Sequence, residues 1–245
     1  VRSRMAKWWI GCSGFYYKGW KEKFYPQGLP QRGWFEYYCS HFNTVELNVT
    51  FYRLPKPEVL KGWYRRSPED FRFTVKAPRI ITHYKRFNNV KPEISEFYYF
   101  ISAGLDDKLG TVLFQLHPQF PYSDENLQKV VKALDPAFAN VIEFRHPSWW
   151  CKAVVDELKK REISFCGISY PGLPDSVIET STTVYYRFHG VPDLYLSSYS
   201  EVALQTVRDE ITSKRNVESV YAYFNNDIEV AAVYNAQALQ QLLGR

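Results

Sequence analysis

Polar and charged residues alternate with apolar ones in three segments that otherwise resemble buried β-strands, namely residues 44–52, 141–145 and 185–189. Side chains on a strand point to opposite faces in turn, so each segment has one apolar and one polar face. The polar faces carry Thr44, Glu46, Asn48, Thr50 and Tyr52 in the first segment, Glu143 and Arg145 in the second, and Arg187 and His189 in the third. Three strands therefore offer ionisable groups to a common side.

The segments between the strands favour a barrel over an open antiparallel sheet, which would also alternate if one face were wet. Strand-like segments occur at residues 8–12, 44–52, 71–76, 111–115, 140–145, 164–168, 184–189 and 220–225. Helical segments occur between most of them, at residues 57–64, 93–101, 123–134, 154–160, 202–211 and 227–243. This order, in a chain of 245 residues, predicts a single (β/α)₈ TIM barrel that forms one domain over residues 1–245.

The composition is that of a globular protein, with 45% hydrophobic and 23% charged residues. No apolar run approaches the length of a membrane span and no signal peptide is legible, so we expect a cytoplasmic protein that does not enter a membrane. The four cysteines lack metal-type spacing, which indicates reduced thiols. Met5 is the single methionine, and we interpret residues 1–4 as a cloning remnant that precedes the natural start.

Motifs along nearly the whole chain carry a family resemblance. They lie at residues 10–15, 24–26, 44–53, 75–78, 82–83, 114–116, 143–149, 186–190 and 223–227. In this order they resemble the YecE-like family, a TIM-barrel family of unknown function found chiefly in prokaryotes. The resemblance implies the barrel but no reaction. Cys12 and Phe15 stand where the family pattern has Thr and Trp, and His117 stands where it has Pro, which makes His117 a weak candidate for a shared function.

The polar residues lie late in their strands, where the C-terminal ends of TIM-barrel strands form the active site. We therefore predict one polar pocket at the barrel mouth. The predicted catalytic residues are Glu46, Glu143 and His189. The predicted substrate-binding residues are Asn48, Tyr52, Lys76, His83, Gln115, Arg145, His146, Arg187, Asn225, Asn226 and Asp227.

Several of these residues also have a structural interpretation. Glu143 and Arg145, with Arg187, would form an ion-pair network that plugs the lumen. Glu46 would accept backbone hydrogen bonds from the loop near Thr50. His83 would be a hydrogen-bonding loop residue, as would His146. The Pro- and Gly-containing loop at residues 171–174 fits either a lid or a plain surface turn.

The charges predict an enzyme that acts on a small anionic or phosphorylated ligand. Guanidinium groups oppose the carboxylates, and the loops after strands seven and eight, with Arg187, His189, Gly190, Asn225 and Asn226, are where this fold often holds phosphate. Two carboxylates on different strands suit general acid and base catalysis, with Glu46 as acid and Glu143 as base or electrostatic stabiliser. A hydrolase or isomerase fits, and no organic cofactor is predicted.

Two other functions remain open. Glu143, His146, His189 and Asp227 are ligand types for a divalent metal, as in sugar isomerases or abasic-site endonucleases, although they lack a compact ligand motif. The aromatic and lysine residues at 15–25, in a chain of net charge +5, would suit single-stranded nucleic acid or nucleotides. The sequence does not indicate an oligomeric state.

Overall fold

The computed structural model describes residues 6–244, so the proposed cloning remnant at residues 1–4 lies outside the described residues. Eight parallel strands build the sheet. They are β1 (Lys7–Cys12), β2 (Thr44–Leu47), β3 (Arg72–Lys76), β4 (Leu109–Gln115), β5 (Asn140–Glu143), β6 (Ser164–Ser169), β7 (Thr183–Phe188) and β8 (Ser219–Phe224). Their hydrogen-bonded order is β1-β8-β7-β6-β5-β4-β3-β2, which confirms the predicted TIM barrel.

Helices surround this sheet. They are α1 (Trp34–Cys39), α2 (Val49–Tyr52), α3 (Pro57–Arg66), α4 (Lys91–Leu105), α5 (Asp124–Ala133), α6 (Lys152–Lys160), α7 (Glu201–Thr212) and α8 (Ala231–Leu242). Within residues 6–244, none of these helices lies between β6 and β7, and the chain crosses there as a loop. None of the described helices is long and apolar enough to cross a membrane.

The predicted strand at residues 44–52 is wrong beyond Leu47, because the chain turns into the short helix α2. The Thr50 hydroxyl donates hydrogen bonds to the carbonyl oxygens of Leu47, at 3.0 Å, and Lys76, at 2.5 Å. It thus pairs carbonyls at the ends of two neighbouring strands and holds the turn against β3. Thr50 and Tyr52 therefore do not continue the polar face of β2, and the Tyr52 side chain is 69% exposed.

Side chains bridge the seam between β1 and β2, the two ends of the hydrogen-bonded order. The Tyr38 hydroxyl accepts from the Cys12 amide at 2.7 Å and donates to the Thr44 carbonyl at 2.9 Å. The Asn43 side chain bonds both the amide of Ile10 and the carbonyl of Trp8, each at 3.1 Å. These contacts supply partners to backbone groups that a strand ladder would otherwise satisfy.

A second cluster of buried side chains fills part of the barrel lumen. Its side chains are Trp9, Leu113, Val141, Cys166, Ile168, Tyr185, Tyr221 and Tyr223. The Tyr223 hydroxyl lies 2.5 Å from the Thr44 hydroxyl and 2.8 Å from that of Thr74. Ile168 and Tyr223 of this cluster are in register with Arg187 on the neighbouring strands, so the apolar and aromatic side chains pack directly against the polar groups of the lumen.

Candidate active site at the barrel mouth

Arg187 lies at the centre of a buried ion-pair network in the barrel lumen. Its side chain, 1% exposed, projects from β7 and meets carboxylates from two other strands. The guanidinium donates to Glu46 through Nε, at 2.9 Å, and Nη2, at 2.6 Å, and to Glu143 Oε2 through Nη1, at 2.5 Å. The Tyr185 hydroxyl also donates to Glu46, at 2.5 Å. This fork-shaped pairing fixes both carboxylates in orientation.

Arg145 extends the network toward solvent. Its Nε donates to Glu143 Oε1, and its guanidinium carbon lies 4.3 Å from the centre of the Tyr170 ring. The side chain lies just after β5 and is nearly buried, with 9% of the residue exposed. Arg145 is thus the guanidinium of this network that a ligand entering the mouth would meet first.

The charges around Glu143 keep it ionised. Burial opposes ionisation, but the positive charges of Arg145 and Arg187 outweigh it and hold the pKa of Glu143 well below its usual range. Glu46 likewise accepts hydrogen bonds on both carboxylate oxygens. The predicted ion-pair network of Glu143, Arg145 and Arg187 is therefore present. The backbone near Thr50 is bonded by the Thr50 hydroxyl, rather than by Glu46 as the structural interpretation of Glu46 expects.

His189 is fully buried between the two guanidiniums. Its Nε2 lies 3.2 Å from Arg145 Nη2 and 3.3 Å from Arg187 Nη1. Nε2 also lies 3.5 Å from Glu143 Oε1, and the Asn225 amide nitrogen lies 3.1 Å from Nδ1. The imidazole thus contacts both guanidiniums, a carboxylate and an amide. Burial and the charges of Arg145 and Arg187 lower the pKa of His189 to about 3, so the imidazole is neutral near pH 7.

Lys76, at the end of β3, is the nearly buried amine of the mouth. It is 9% exposed, and Nζ lies 4.3 Å from the centre of the Phe51 ring. Lys76 forms no ion pair with a carboxylate of residues 6–244. Burial, followed by the charge of Arg187, lowers the pKa of Lys76 to about 7 despite the opposing effect of Glu143 and Glu46.

Further predicted residues line the rim. His83 is half-buried, its ring lies 4.9 Å from that of Phe51, and burial together with the neighbouring His117 lowers its pKa to about 4. Gln115, half-buried, is in register with Glu143 on the neighbouring strand. Asp227 is half-buried beside the Tyr17 hydroxyl, and burial raises the pKa of its carboxyl group. The structure thus brings most of the predicted site residues to one mouth.

Three predicted residues have other surroundings. Tyr52 faces solvent near Arg79. Asn226 is buried and donates to Asn235 Oδ1 and the Ser197 carbonyl, each at 2.9 Å, which ties the loop after β7 to α8. His146 contacts the Ser148 hydroxyl at 2.7 Å and caps a short turn, as expected for a loop histidine.

The predicted phosphate loop after β7 is also occupied by the protein itself. The Gly190 amide donates to the Tyr199 hydroxyl at 2.8 Å, and the Asn225 amide pairs with the Phe188 carbonyl at the same distance. These backbone groups already have partners. The side chains of Arg145 and Lys76, rather than this loop, therefore offer the positive charge at the mouth.

The donor set expected for a metal is not assembled. Among residues 6–244, no three His, Cys, Asp or Glu side chains are grouped as a metal ion requires. Glu143 is bonded by two guanidiniums, and His146 faces Ser148. The predicted grouping of Glu143, His146, His189 and Asp227 is therefore wrong.

A cleft of about 750 Å³ opens beside the ionic network, between the loop after β1 and helices α1 and α3. Its aromatic lining includes Phe15, Tyr16, Tyr17, Phe35 and Trp63. Ser13 lines the cleft and also lies 3.5 Å from Arg187 Nη2, so the cleft adjoins the network. Asn48 Oδ1, also in its lining, is buried without a hydrogen-bond partner among the described residues.

The sequence interpretation missed three residues of this site. Tyr185 lies two positions before Arg187 and shares its face, so the strand alternation already contained that signal. Ser13 directly follows β1, and Tyr170 directly follows β6. Leu173 and Tyr170 pack against the lumen cluster, so the predicted lid or turn at 171–174 contacts the side chains that fill the barrel.

Comparison with known proteins identifies the family. Residues 9–245 match the family described as "Protein of unknown function DUF72". The UPF0759 protein YecE of Escherichia coli K12 is 33% identical over 135 residues. The match covers 55% of this chain and 49%, about half, of that relative's length. The UPF0759 protein YunF of Bacillus subtilis is 26% identical over 96% of this chain and 94% of its own.

Solved structures agree with the architecture. A DUF72 family protein from Thermotoga maritima has a TM-score of 0.89 and 29% identity, with 98% of this chain and 100% of that chain covered. A second one, from Enterococcus faecalis, has a TM-score of 0.81 at 22% identity, covers 98% of each chain and shows the same fold. With the family match over nearly the whole chain, these likenesses show that the chain belongs to the DUF72, or YecE-like, family of proteins of unknown function.

Proposed function

We propose that this protein is an enzyme whose barrel mouth binds a small substrate with a carboxylate or phosphate group beside Arg145 and Lys76. One observation carries the proposal, namely that the Lys76 amine is enclosed at the mouth while the nearby carboxylates are bonded to guanidiniums. A protonated Lys76 adds a third cation to Arg145 and Arg187, against Glu46 and Glu143, so this group then has one excess positive charge, while Asp227 lies on the rim beside Tyr17.

The geometry supports a different division of roles from the one expected from the sequence. Glu143 holds two guanidiniums in place and is kept ionised, so it has no proton to give. Glu46 accepts hydrogen bonds from one guanidinium, that of Arg187, through both carboxylate oxygens. Lys76 is better suited to proton transfer, because a general acid or base works best when its pKa lies near the working pH. Isomerisation or hydrolysis of a small anionic molecule fits this arrangement.

Calorimetric titration with inorganic phosphate and with small carboxylates tests the anion site. We expect Lys76→Met and Arg145→Gln to weaken binding by about tenfold or more, equal to ~1.4 kcal/mol. The matched controls are Lys152→Met, whose side chain is 86% exposed, and Arg208→Gln on α7, and both should bind like wild type. Equal heats for wild type and the two mouth variants would refute the proposal.

The aromatic cleft supports a second candidate, the binding of nucleotides or single-stranded nucleic acid. Rings such as Tyr16 and Trp63 offer stacking surfaces, and Arg32 and Arg66 supply positive charge in the same lining. Titration with a short oligonucleotide, followed by tryptophan fluorescence, tests this candidate. It predicts affinity that falls steeply with added salt and is lost in Trp63→Ala, whereas absence of binding at low salt would exclude it.

A further inference from the structure

Lys76 is held in a position where an amine can act as a nucleophile. Its carbonyl oxygen is fixed by the Thr50 hydroxyl at 2.5 Å, so the end of β3 is anchored beneath the side chain. The stem is enclosed and Nζ lies over the Phe51 ring. The amine is therefore carried by a rigid strand rather than by a loop, which favours a defined angle of attack.

The neighbours of Lys76 also favour an amine that can lose its proton. A carboxylate partner would keep the ammonium form, but Lys76 has no such ion pair within residues 6–244. Among the groups that act on it, the positive charges of Arg187 and Arg145 favour the neutral amine. Glu143 and Glu46 act in the opposite sense, but each is hydrogen-bonded to a guanidinium.

We propose that Lys76 forms a Schiff base with an aldehyde or ketone substrate whose carboxylate or phosphate group lies beside Arg145. This inference rests on the proposed anion-binding function and assigns its substrate to the carbonyl compounds. Enclosed lysines without a carboxylate partner, close to other cationic groups, are the ones that serve as Schiff-base nucleophiles.

The chemistry balances without a cofactor. The neutral Nζ attacks the carbonyl carbon, so an N–C bond forms while the C=O double bond opens, and one proton passes from the nitrogen to the oxygen. The resulting carbinolamine then loses its hydroxyl group together with the second nitrogen proton as water, and the C=N double bond forms. One amine and one carbonyl thus give one imine and one water. When protonated, the imine withdraws electrons from the adjacent carbon, which suits an isomerisation that begins by removing a proton there.

The protonation equilibrium of Lys76 supports this role. A pKa of about 7 leaves roughly half of the amine neutral at neutral pH. An ordinary lysine, with a pKa near 10.4, is neutral in only about one molecule in two thousand or more at that pH. The difference favours attack by Lys76 over attack by surface amines.

Reductive trapping tests the inference on the wild-type chain. The protein is incubated near neutral pH with glyoxylate, a small aldehyde with a carboxylate, and with cyanoborohydride, which converts an imine to a stable secondary amine. Peptide mass spectrometry then locates the adduct. We expect Lys76 to be labelled at least about tenfold faster than the exposed Lys152, and inorganic phosphate to slow the labelling of Lys76. Labels confined to surface lysines would overturn the inference.

A neutral aldehyde of similar size separates the Schiff base from the anion site. Arg145→Gln should slow the labelling of Lys76 by glyoxylate severalfold more than its labelling by propionaldehyde, because the neutral aldehyde loses only the effect of the Arg145 charge on the amine. Unlabelled Lys76 in a protein that still binds phosphate through Arg145 would refute the Schiff base and leave the anion site standing. Labelling of Lys76 that is equally fast with both aldehydes and insensitive to Arg145 would instead refute the proposed anionic substrate.

Discussion

The mouth depends most on Arg187, because within residues 6–244 this side chain alone joins β2, β5 and β7 through buried charges. Such a network stabilises little relative to an apolar core of equal volume, but removing one member leaves the others charged and unpaired. We therefore expect the proposed anion binding by its neighbour Arg145 to depend on Arg187 as well.

Arg187→Met should lower the free energy of unfolding by about 3–5 kcal/mol, because it leaves Glu46 without a counter-ion in the lumen. Urea denaturation of wild type and variant measures the difference. Adding Glu46→Gln to the variant should recover part of the loss, since one unpaired charge is then removed. A matched change at an exposed position, Arg215→Met, should change stability by less than about 1 kcal/mol. An Arg187→Met protein as stable as wild type would contradict the network.

His189 gives stability a definite dependence on pH. Its pKa is lowered to about 3 in the folded state, so between that value and the ordinary histidine pKa near 6.5 the unfolded chain binds more protons than the folded one. Stability from neutral His189 is therefore complete above about pH 6.5 and is lost as the pH falls toward 3. Urea denaturation across this range should show a shallower slope for His189→Asn. Identical slopes would mean that His189 is not held neutral.

The strand alternation predicted which residues lie at the mouth better than it predicted which of them form pairs. It found Glu46, Glu143, Lys76, Arg187 and His189, because inward-facing positions of a barrel strand follow a period of two. Which guanidinium meets which carboxylate depends on the stagger between distant strands. That stagger is set by the closure of the barrel and not by any local pattern.

At the scale of elements, the seam between β1 and β2 is the most specific feature of the fold. Gly11 is required there, because a Cβ at this position would lie 2.2 Å from the Thr44 carbonyl oxygen. The close approach leaves room for the Tyr38 hydroxyl to bond both strands. The seam also orders the start of the loop that carries Ser13 into the aromatic cleft.

Tyr38→Phe should lower the free energy of unfolding by about 1–3 kcal/mol, because it leaves the buried Cys12 amide and Thr44 carbonyl without this partner. Tyr16→Phe removes an exposed hydroxyl that bonds Gln31 and serves as the control, with an expected change within about 0.5 kcal/mol. Thermal or urea denaturation distinguishes them. Equal small effects of both changes would show that the seam does not need its side-chain bridge.

Short helices limited what could be predicted at this scale. The segment 49–52 alternates like the strand before it, and four residues are too few to show a helical period. The helix α1 was not predicted, although Trp34, Phe35 and Tyr38 are buried at spacings of one and four residues. Aromatic residues also occur at other positions in and around these six residues, so the helical period of the buried ones is not visible in the sequence.

For the whole molecule, the order of strands and helices was sufficient to predict the barrel, and the loop between β6 and β7 departs from the regular repeat. The net charge of +5 did not predict the ligand, since most basic groups lie outside the mouth. The balance of charge within the mouth follows instead from which side chains the closed barrel encloses.

Anion binding should be coupled to proton uptake. A bound anion favours protonated Lys76 and raises its pKa above the value of about 7 in the free protein, so binding takes up protons near neutral pH. Affinity for phosphate should then fall as the pH rises above about 7, by more than the titration of phosphate itself changes it. Calorimetry in buffers of different ionisation enthalpy measures the proton count, and Lys76→Met should abolish this contribution. An unchanged count in Lys76→Met would contradict the coupling.

The proposed anion site depends on one excess positive charge of Arg145, Arg187 and Lys76 over Glu46 and Glu143. A crystal structure of the wild-type protein grown with phosphate near pH 6.5 would reveal an occupied site. We expect an anion within hydrogen-bonding distance of the Arg145 guanidinium and beside Lys76 Nζ. Phosphate bound only at surface lysines, with the mouth holding none, would contradict it.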